Sequence, residues 1–273
     1  MFNFINELLS YTFISRALLV GLLVSLCASL LGVSLVLKKY SMIGDGLSHV
    51  GFAALSISVA IGWAPLIVSI PIVVISAFLL LRLNEKNVLK GDAAIALISS
   101  SALAIGVIIT SLSNGINTDV YNYMFGSILT LTSSDVYLSL ILSIIVIILF
   151  VVFYNKIFAV TFDENFAKAT GTKIDLFNSL IAFLTAITIV IGMRIMGTLL
   201  ISSLIIFPAL SSMRIFKNFK SVVISSAFIS TICFISGMIL SFAFDLPTGA
   251  SIVCANLVIF IALSIIGKVF KLS

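Results

Sequence analysis

Long apolar segments follow one another along the chain, separated by short stretches of polar or charged residues. A helix needs about 20 mostly apolar residues to cross the roughly 30 Å hydrocarbon core of a bilayer. Nine segments of that length are predicted to span it: 17–37, 46–62, 63–81, 93–112, 136–154, 176–193, 195–213, 221–243 and 248–267. A count of eight is the alternative, because two segments almost touch at Trp63-Ala64-Pro65 and residues 120–132 suit a re-entrant or broken helix.

Composition strengthens this prediction. Hydrophobic residues make up 61% of the chain and charged residues 9%, whereas about a quarter of the residues in a soluble domain are charged. The fold class expected is therefore an all-α, polytopic membrane bundle. Residues 1–273 are expected to form a single transmembrane domain, since nine spans leave no room for a second, soluble one.

The basic residues predict the orientation, because Lys and Arg concentrate in cytoplasmic loops. If the loops after the first, third, fifth and seventh spans face inward with the C-terminus, all basic residues except Arg16 and Arg194 lie inside. The N-terminus is then outside, and it lacks the features of a removable signal peptide. The outer face receives residues 113–135 and 244–249. The net charge of +5 forms no contiguous patch, which argues against nucleic acid as a partner.

Ionisable side chains within a spanning helix are costly and usually functional. Asp45 and His49 stand four residues apart at the start of the second span, and His49 is the only histidine. In a helix this spacing places the carboxylate and the imidazole on one face. Both are good ligands for zinc, manganese or ferrous iron. Two ligands are too few for one ion, but two copies of the chain meeting along this helix would supply four.

Two structural explanations of the pair remain open at this point. Asp45 and His49 can pair with each other, or Asp45 can cap the second span while His49 bonds to a neighbouring helix. Small residues around the pair permit close approach of a partner helix: Gly44, Gly46, Ser48, Gly51, Ala53 and Ala54.

The longest inward segment, 155–175, predicts a short helix along the cytoplasmic surface. Asp163 is a capping residue, and Asp163 and Glu164 lie at the positive end of the helix dipole. Lys168 lies near the other end, and Gly171 ends the helix.

Other features favour structural roles. Cys27, Cys233 and Cys254 are far apart and lie in apolar segments, so they are expected to be packing residues. Pro208 within the seventh span is interpreted as a tolerated proline in a packed membrane helix. Tyr121, Tyr123 and Phe125 suit either an interfacial aromatic belt or an outer docking surface.

Several stretches resemble the zinc/manganese/iron permease family of ABC importers, in family order and over nearly the whole chain. VLKKYSMIGDGLSHVGFAAL is similar to the signature around that family's second span, and YNYMFGSILTLTSSDVY to its outer loop. FDENFAKATG resembles its coupling segment. RIMGTLLISSLIIFPAL and DLPTGASIV resemble its C-terminal third.

The resemblance implies a multi-pass permease of the bacterial plasma membrane that imports divalent metal ions as a homodimer. Asp45 and His49 match the positions that meet the ion. Asp163, Glu164, Ala167, Lys168 and Gly171 match the helix, near 163–171, that docks on a cytoplasmic ATPase dimer. An extracytoplasmic metal-binding protein would deliver the ion, which is cargo rather than a tightly bound cofactor.

The sequence also weighs against other functions. It contains no G-x-x-x-x-G-K-[ST] phosphate-binding loop, so ATP hydrolysis would belong to a partner subunit. One histidine cannot form the H-E-x-x-H of an intramembrane metalloprotease. A permease for iron-chelate or cobalamin-type complexes remains the alternative, although a bulky chelate would not need Asp45 and His49. A stand-alone channel or ion-coupled carrier is the third alternative.

Overall fold

The computed structural model of the chain describes residues 12–85, 91–113 and 133–270, and within these ranges it contains eleven α-helices and no β-strand. In chain order they are α1 (Thr12–Leu37), α2 (Ile43–Ile61), α3 (Pro65–Glu85), α4 (Gly91–Leu112), α5 (Ser133–Val152), α6 (Tyr154–Phe162), α7 (Glu164–Ala169), α8 (Ile174–Met196), α9 (Thr198–Met213), α10 (Phe219–Phe244) and α11 (Thr248–Val269). The prediction of an all-α membrane bundle is confirmed.

Among the described residues, the number of helices long enough to span a membrane agrees with the alternative count of eight, and a ninth apolar helix is shorter. Eight described helices are long and apolar enough to cross a membrane: α1 to α5, α8, α10 and α11. The ninth, α9, has 16 residues, so it is about 24 Å long at 1.5 Å per residue and shorter than the hydrocarbon core. The predicted span 195–213 begins three residues too early. Gly197, with φ 86° and ψ 164°, ends α8 and places the start of α9 at Thr198.

The predicted near-contact of the second and third spans is confirmed. Gly62 ends α2 in the left-handed conformation, with φ 70°. The backbone N–H of Trp63 donates to the carbonyl of Ser58 at 2.9 Å. Pro65 then begins α3, where its missing N–H costs no helical hydrogen bond. The predicted feature at 120–132 and the aromatic residues Tyr121, Tyr123 and Phe125 lie outside the described residues.

The centre of the bundle is formed by α1, α2, α8 and α9, which are the most buried helices. Helices α3 and α4 pack on α2, α5 and α10 pack on α1, and α11 packs on α9 and α10. Glycine and serine permit the closest contacts, as expected where lipid provides no hydrophobic driving force. A Cβ at Gly32 would clash with the carbonyl oxygen of Ile205. Ser226 and Ser230 of α10 donate to backbone carbonyls of α1 at 3.2 and 3.0 Å.

The ends of the helices form two opposite faces. At one, which we call the basic face, Lys38 bonds to Glu164, and Gly267 packs on the carbonyl oxygen of Arg214. Three connecting segments meet at this face: 38–42, 153–173 and 214–218. They are among the basic segments that were predicted from the sequence to lie on the cytoplasmic side.

The opposite face explains one exception to the charge rule. Arg194, near the end of α8, forms an ion pair with Asp135 of α5 at 2.7 Å, and each side chain is only 13% exposed. Arg194 is therefore a neutralised packing residue rather than a loop charge, which is why it does not follow the distribution of the other basic residues.

Candidate functional site

A tight turn joins α1 to α2 and sets where Asp45 and His49 lie. Lys39 adopts a left-handed conformation, with φ 63°. The N–H groups of Lys39 and Tyr40 donate back to Val36 and Leu35 at 3.0 and 2.8 Å, a closure that satisfies the last carbonyls of α1. As a result α2 begins at Ile43, three residues before the predicted start at 46, and Asp45 lies in its first turn.

The start of α2 lies inside the bundle. Ile43 shares a narrow cavity of about 20 Å³ with Ile181 and Ala182. These residues follow the start of α8 on the basic face by seven and eight positions, which is about 10 Å along its axis. Next to Ile43, a Cβ at Gly44 would lie 3.6 Å from the Cα of Ser202.

The contact with Ser202 also shows how far Asp45 and His49 lie from the face opposite the basic face. Ser202 lies four residues after the start of α9, which begins at the face opposite the basic face. Asp45 and His49 are therefore near a helix end in sequence but near mid-depth in the bundle.

The two side chains face one another without a hydrogen bond. The distance from His49 Nε2 to Asp45 Oδ2 is 3.8 Å, and the side chains are 19% and 39% exposed. Two ligands of a tetrahedral ion with bonds of about 2.1 Å are separated by about 3.4 Å, so a small rotation would let both reach one ion. Their neighbours Gly44, Gly46, Leu47 and Ser48 are buried, which leaves the pair as the polar opening on this part of α2.

The structure gives no hydrogen bond for two of the structural explanations of the pair, a cap formed by Asp45 and a direct bond between Asp45 and His49. Met42 is the N-cap residue of α2, and no side chain makes a capping hydrogen bond there. A direct hydrogen bond between Asp45 and His49 is absent at 3.8 Å. Across the ranges that the structure describes, no three His, Cys, Asp or Glu side chains form a group able to hold a metal. A single chain thus brings together two candidate ligands at this position.

The segment between α5 and α8 contains two short helices. As predicted, Asp163 caps α7, with its Oδ1 accepting from the N–H of Phe166 at 3.0 Å. The helix ends at Ala169, and Gly171 follows in the left-handed conformation, with φ 78°. Ala167 is fully buried in a small cluster with Val160 and Phe177, which fixes α7 to α6 and α8. Lys168 is exposed.

The helix α6 was not predicted from the sequence. Its residues Tyr154–Phe162 continue the apolar character of α5 without a proline or glycine to mark a boundary. The helix was therefore divided between the fifth span and the cytoplasmic loop.

A partly buried polar network connects α7 to the end of α1. Lys38 Nζ lies 2.6 Å from Glu164 Oε1 and 2.8 Å from Asn178 Oδ1, and the Asn178 amide donates to the same Glu164 oxygen at 3.3 Å. The Lys38 side chain is only 7% exposed. Sequence reasoning used Lys38 only as a topological charge and did not identify Asn178. Their separation of 140 positions gives no local signal of contact.

The network lowers the pKa of Glu164. Burial alone would raise this pKa, but the hydrogen bond and the charge of Lys38, with a further hydrogen bond from Asn178, outweigh burial. Because the folded-state pKa lies below the ordinary 4.5, the ionised carboxylate stabilises the fold above that pH. This contribution is lost as the pH falls through the lower folded-state value.

We expect a pH-dependent stability difference between the wild type and Glu164→Gln. In detergent, the wild type should have the higher midpoint of thermal unfolding at pH 6. The difference should shrink as the pH is lowered below about 4.5, where the carboxylate begins to lose its charge. A difference that stays constant from pH 6 to pH 3.5 would contradict the lowered pKa.

Comparisons with known proteins agree with this architecture. The sequence profile of the ABC 3 transport family matches residues 10–267. The manganese import system permease protein ScaB of Streptococcus gordonii is 26% identical, over 95% of this chain and 93% of that protein. The high-affinity zinc uptake system membrane protein ZnuB of Haemophilus influenzae is 29% identical, over 90% of this chain and 94% of that protein.

A solved structure is similar over almost the same length. PsaBC from Streptococcus pneumoniae, in complex with Fab, contains a chain that superposes with a TM-score of 0.85 at 26% identity. The match covers 96% of this chain and 94% of that chain. The family resemblance carried by the motifs is thereby confirmed, and the chain belongs to the ABC 3 transport family.

Proposed function

We propose that this chain is the membrane permease of an ABC importer for divalent transition-metal ions, namely zinc, manganese or ferrous iron. The observation that carries the proposal is the pairing of a carboxylate and an imidazole, Asp45 and His49, on an open part of α2 at mid-depth. Relatives that are named manganese and zinc permeases support it.

Two copies would form the translocation pathway. Asp45 and His49 are partly exposed in the single chain, and an ionisable pair facing lipid at mid-depth is costly. A second copy packed on this part of α2 would cover both side chains. A two-fold axis beside the pair would bring two carboxylates and two imidazoles to one ion, which satisfies the coordination that one chain cannot.

The site suits transient binding. Neutral imidazole donates a nitrogen and ionised Asp45 an oxygen, so both meet a borderline metal ion without a thiolate that would retain it. Asp45 lies in the first turn of α2, where the partial positive charge of the helix N-terminus offsets part of its attraction for a cation. This weaker attraction favours release of the ion, and transport requires release as much as binding.

Energy would come from a partner ATPase dimer. The helix α7, with its cap Asp163, its buried anchor Ala167 and the terminating Gly171, is the proposed docking element, and Glu164 and Lys168 are on the same segment. Docking of a cytoplasmic ATPase on α7 places the basic face and the C-terminus on the cytoplasmic side of the bacterial plasma membrane. A metal-binding protein would deliver the ion at the other face, to residues 113–135 and 244–249.

ATP-dependent uptake by the permease reconstituted in liposomes with its ATPase and binding protein tests this proposal. We expect uptake of free Mn²⁺ or Zn²⁺ that requires ATP and the ATPase. Uptake of an iron chelate or cobalamin in place of free ions would instead support the alternative permease class. Metal uptake by the chain without an ATPase would indicate a channel or an ion-coupled carrier.

A further inference from the structure

A three-residue network at the basic face lies between the proposed docking helix and the turn that leads to Asp45. Lys38, Glu164 and Asn178 come from the end of α1, the start of α7 and the first turns of α8. Each of the three pairs is within hydrogen-bond distance, at 2.6, 2.8 and 3.3 Å. In the part of the chain that the structure describes, Lys38 has no other ion-pair partner than Glu164.

Lys38 is closely linked to the start of α2. It is followed by the turn in which Lys39 adopts the left-handed conformation, and it lies seven positions before Asp45. Backbone hydrogen bonds close this turn at both ends: Tyr40 donates to Leu35, and Ile43 donates to Tyr40, at 2.8 and 3.0 Å. A displacement of Lys38 is therefore passed to α2 through a short, hydrogen-bonded connection rather than a loose loop.

Glu164 is equally well fixed to α7. It is the first residue of that helix, directly after the cap Asp163. The buried Ala167 holds the helix to its neighbours. A movement of α7 must therefore move the Glu164 carboxylate, to which Lys38 is bonded at 2.6 Å.

The structure also leaves room for the turn to respond. The narrow cavity beside the network is lined by Lys38, Tyr40, Ile43, Asn178 and Ile181, among mostly apolar side chains. Close-packed side chains resist displacement, so this space beside Ile43, which is about the size of one water molecule, would give the start of α2 limited freedom to shift.

The geometry points to Lys38, Glu164 and Asn178 as positioning residues that transmit movement of α7 to the helix bearing Asp45 and His49. This inference rests on the proposed function, since it assigns the network a role only if α7 docks on an ATPase. The network would couple ATP hydrolysis to ion movement without touching the ion.

The test compares Lys38→Met with Lys39→Met in the complex reconstituted with its ATPase and binding protein. Lys39 is the exposed neighbour outside the network, so its variant controls for loss of one positive charge at the basic face. The readouts are ATPase binding, ATP hydrolysis, and Mn²⁺ or Zn²⁺ transported per ATP hydrolysed. A residue that only stabilises the fold would not change the last ratio in protein that is assembled and active.

We expect Lys38→Met and Asn178→Leu to bind the ATPase and hydrolyse ATP while the ions transported per ATP fall about tenfold, a change typical of allosteric coupling energies. Lys39→Met should keep the wild-type ratio. Lys38→Glu combined with Glu164→Lys should recover much of the ratio lost in Lys38→Glu alone, because the ion pair is restored in reverse.

An unchanged ratio in Lys38→Met and Asn178→Leu would overturn the inference. Loss of ATPase binding in both variants would also overturn it, because the network would then be part of the docking surface. Failure of the wild-type complex to transport either ion would instead refute the proposed function, and the wild-type measurement separates that result from the variant comparison.

Discussion

His49→Ala is expected to reduce ATP-dependent uptake of Mn²⁺ or Zn²⁺ by at least about 100-fold, because loss of even an indirect partner of a metal ligand commonly costs 10- to 100-fold. Asp45→Asn should have a similar effect, since it keeps the size of the side chain and removes its charge. Both side chains are partly exposed, so neither substitution removes a fully buried group. The measurement is initial uptake in liposomes containing the complete complex.

Ser58→Ala is the matched control for these variants. Ser58 lies on the same helix, and its hydroxyl donates only to the carbonyl of Leu55 within α2. We expect this variant to transport normally. Wild-type uptake in both His49→Ala and Asp45→Asn, with the ATPase bound, would make the pair structural and remove the basis for the proposed pathway.

Ala167→Glu is expected to separate the permease from its ATPase. Ala167 is fully buried against Val160 and Phe177, and a carboxylate cannot be buried there without a partner. The helix α7 would have to leave its place on α6 and α8. A displacement costing only 1.4 kcal/mol of binding free energy would lower the affinity about tenfold, so capture of the ATPase by tagged permease should fall at least that much.

Asn218→Glu adds the same charge at an exposed position of the basic face outside α7, where the Asn218 side chain makes no capping hydrogen bond. It should weaken capture far less, because the added carboxylate stays in solvent. Size-exclusion chromatography of each variant before ATPase addition checks that the bundle is intact. Equal capture by Ala167→Glu and the wild type would contradict the assignment of α7 as the docking element.

Local features of the sequence were sufficient to predict much of this arrangement. The i, i+4 spacing placed Asp45 and His49 on one face, and the cap at Asp163 with the glycine at 171 located the short helix. Both depend on residues within a few positions of one another, where helical periodicity and capping rules act directly.

The depth of Asp45 in the bundle and the contacts between distant residues could not be predicted from such local features. Asp45 lies at mid-depth because the turn at Lys39 starts α2 beside Ile181, a relation between distant parts of the chain. Arg194 seemed an exception to the charge rule until the fold placed it against Asp135, 59 positions away. Such contacts depend on how helices pack, which hydropathy alone does not specify.

The metal site shared by two copies can be tested directly, because His49 is the only histidine in the chain. Permease labelled with ¹⁵N-histidine and purified without a histidine tag would be combined with unlabelled ATPase and loaded with Mn²⁺ for pulsed electron paramagnetic resonance. We expect coupling of the ion to two labelled imidazole nitrogens, one from each copy, and loss of this coupling in His49→Ala. Bound Mn²⁺ without any ¹⁵N coupling would contradict the claim that two copies form the metal site through this pair.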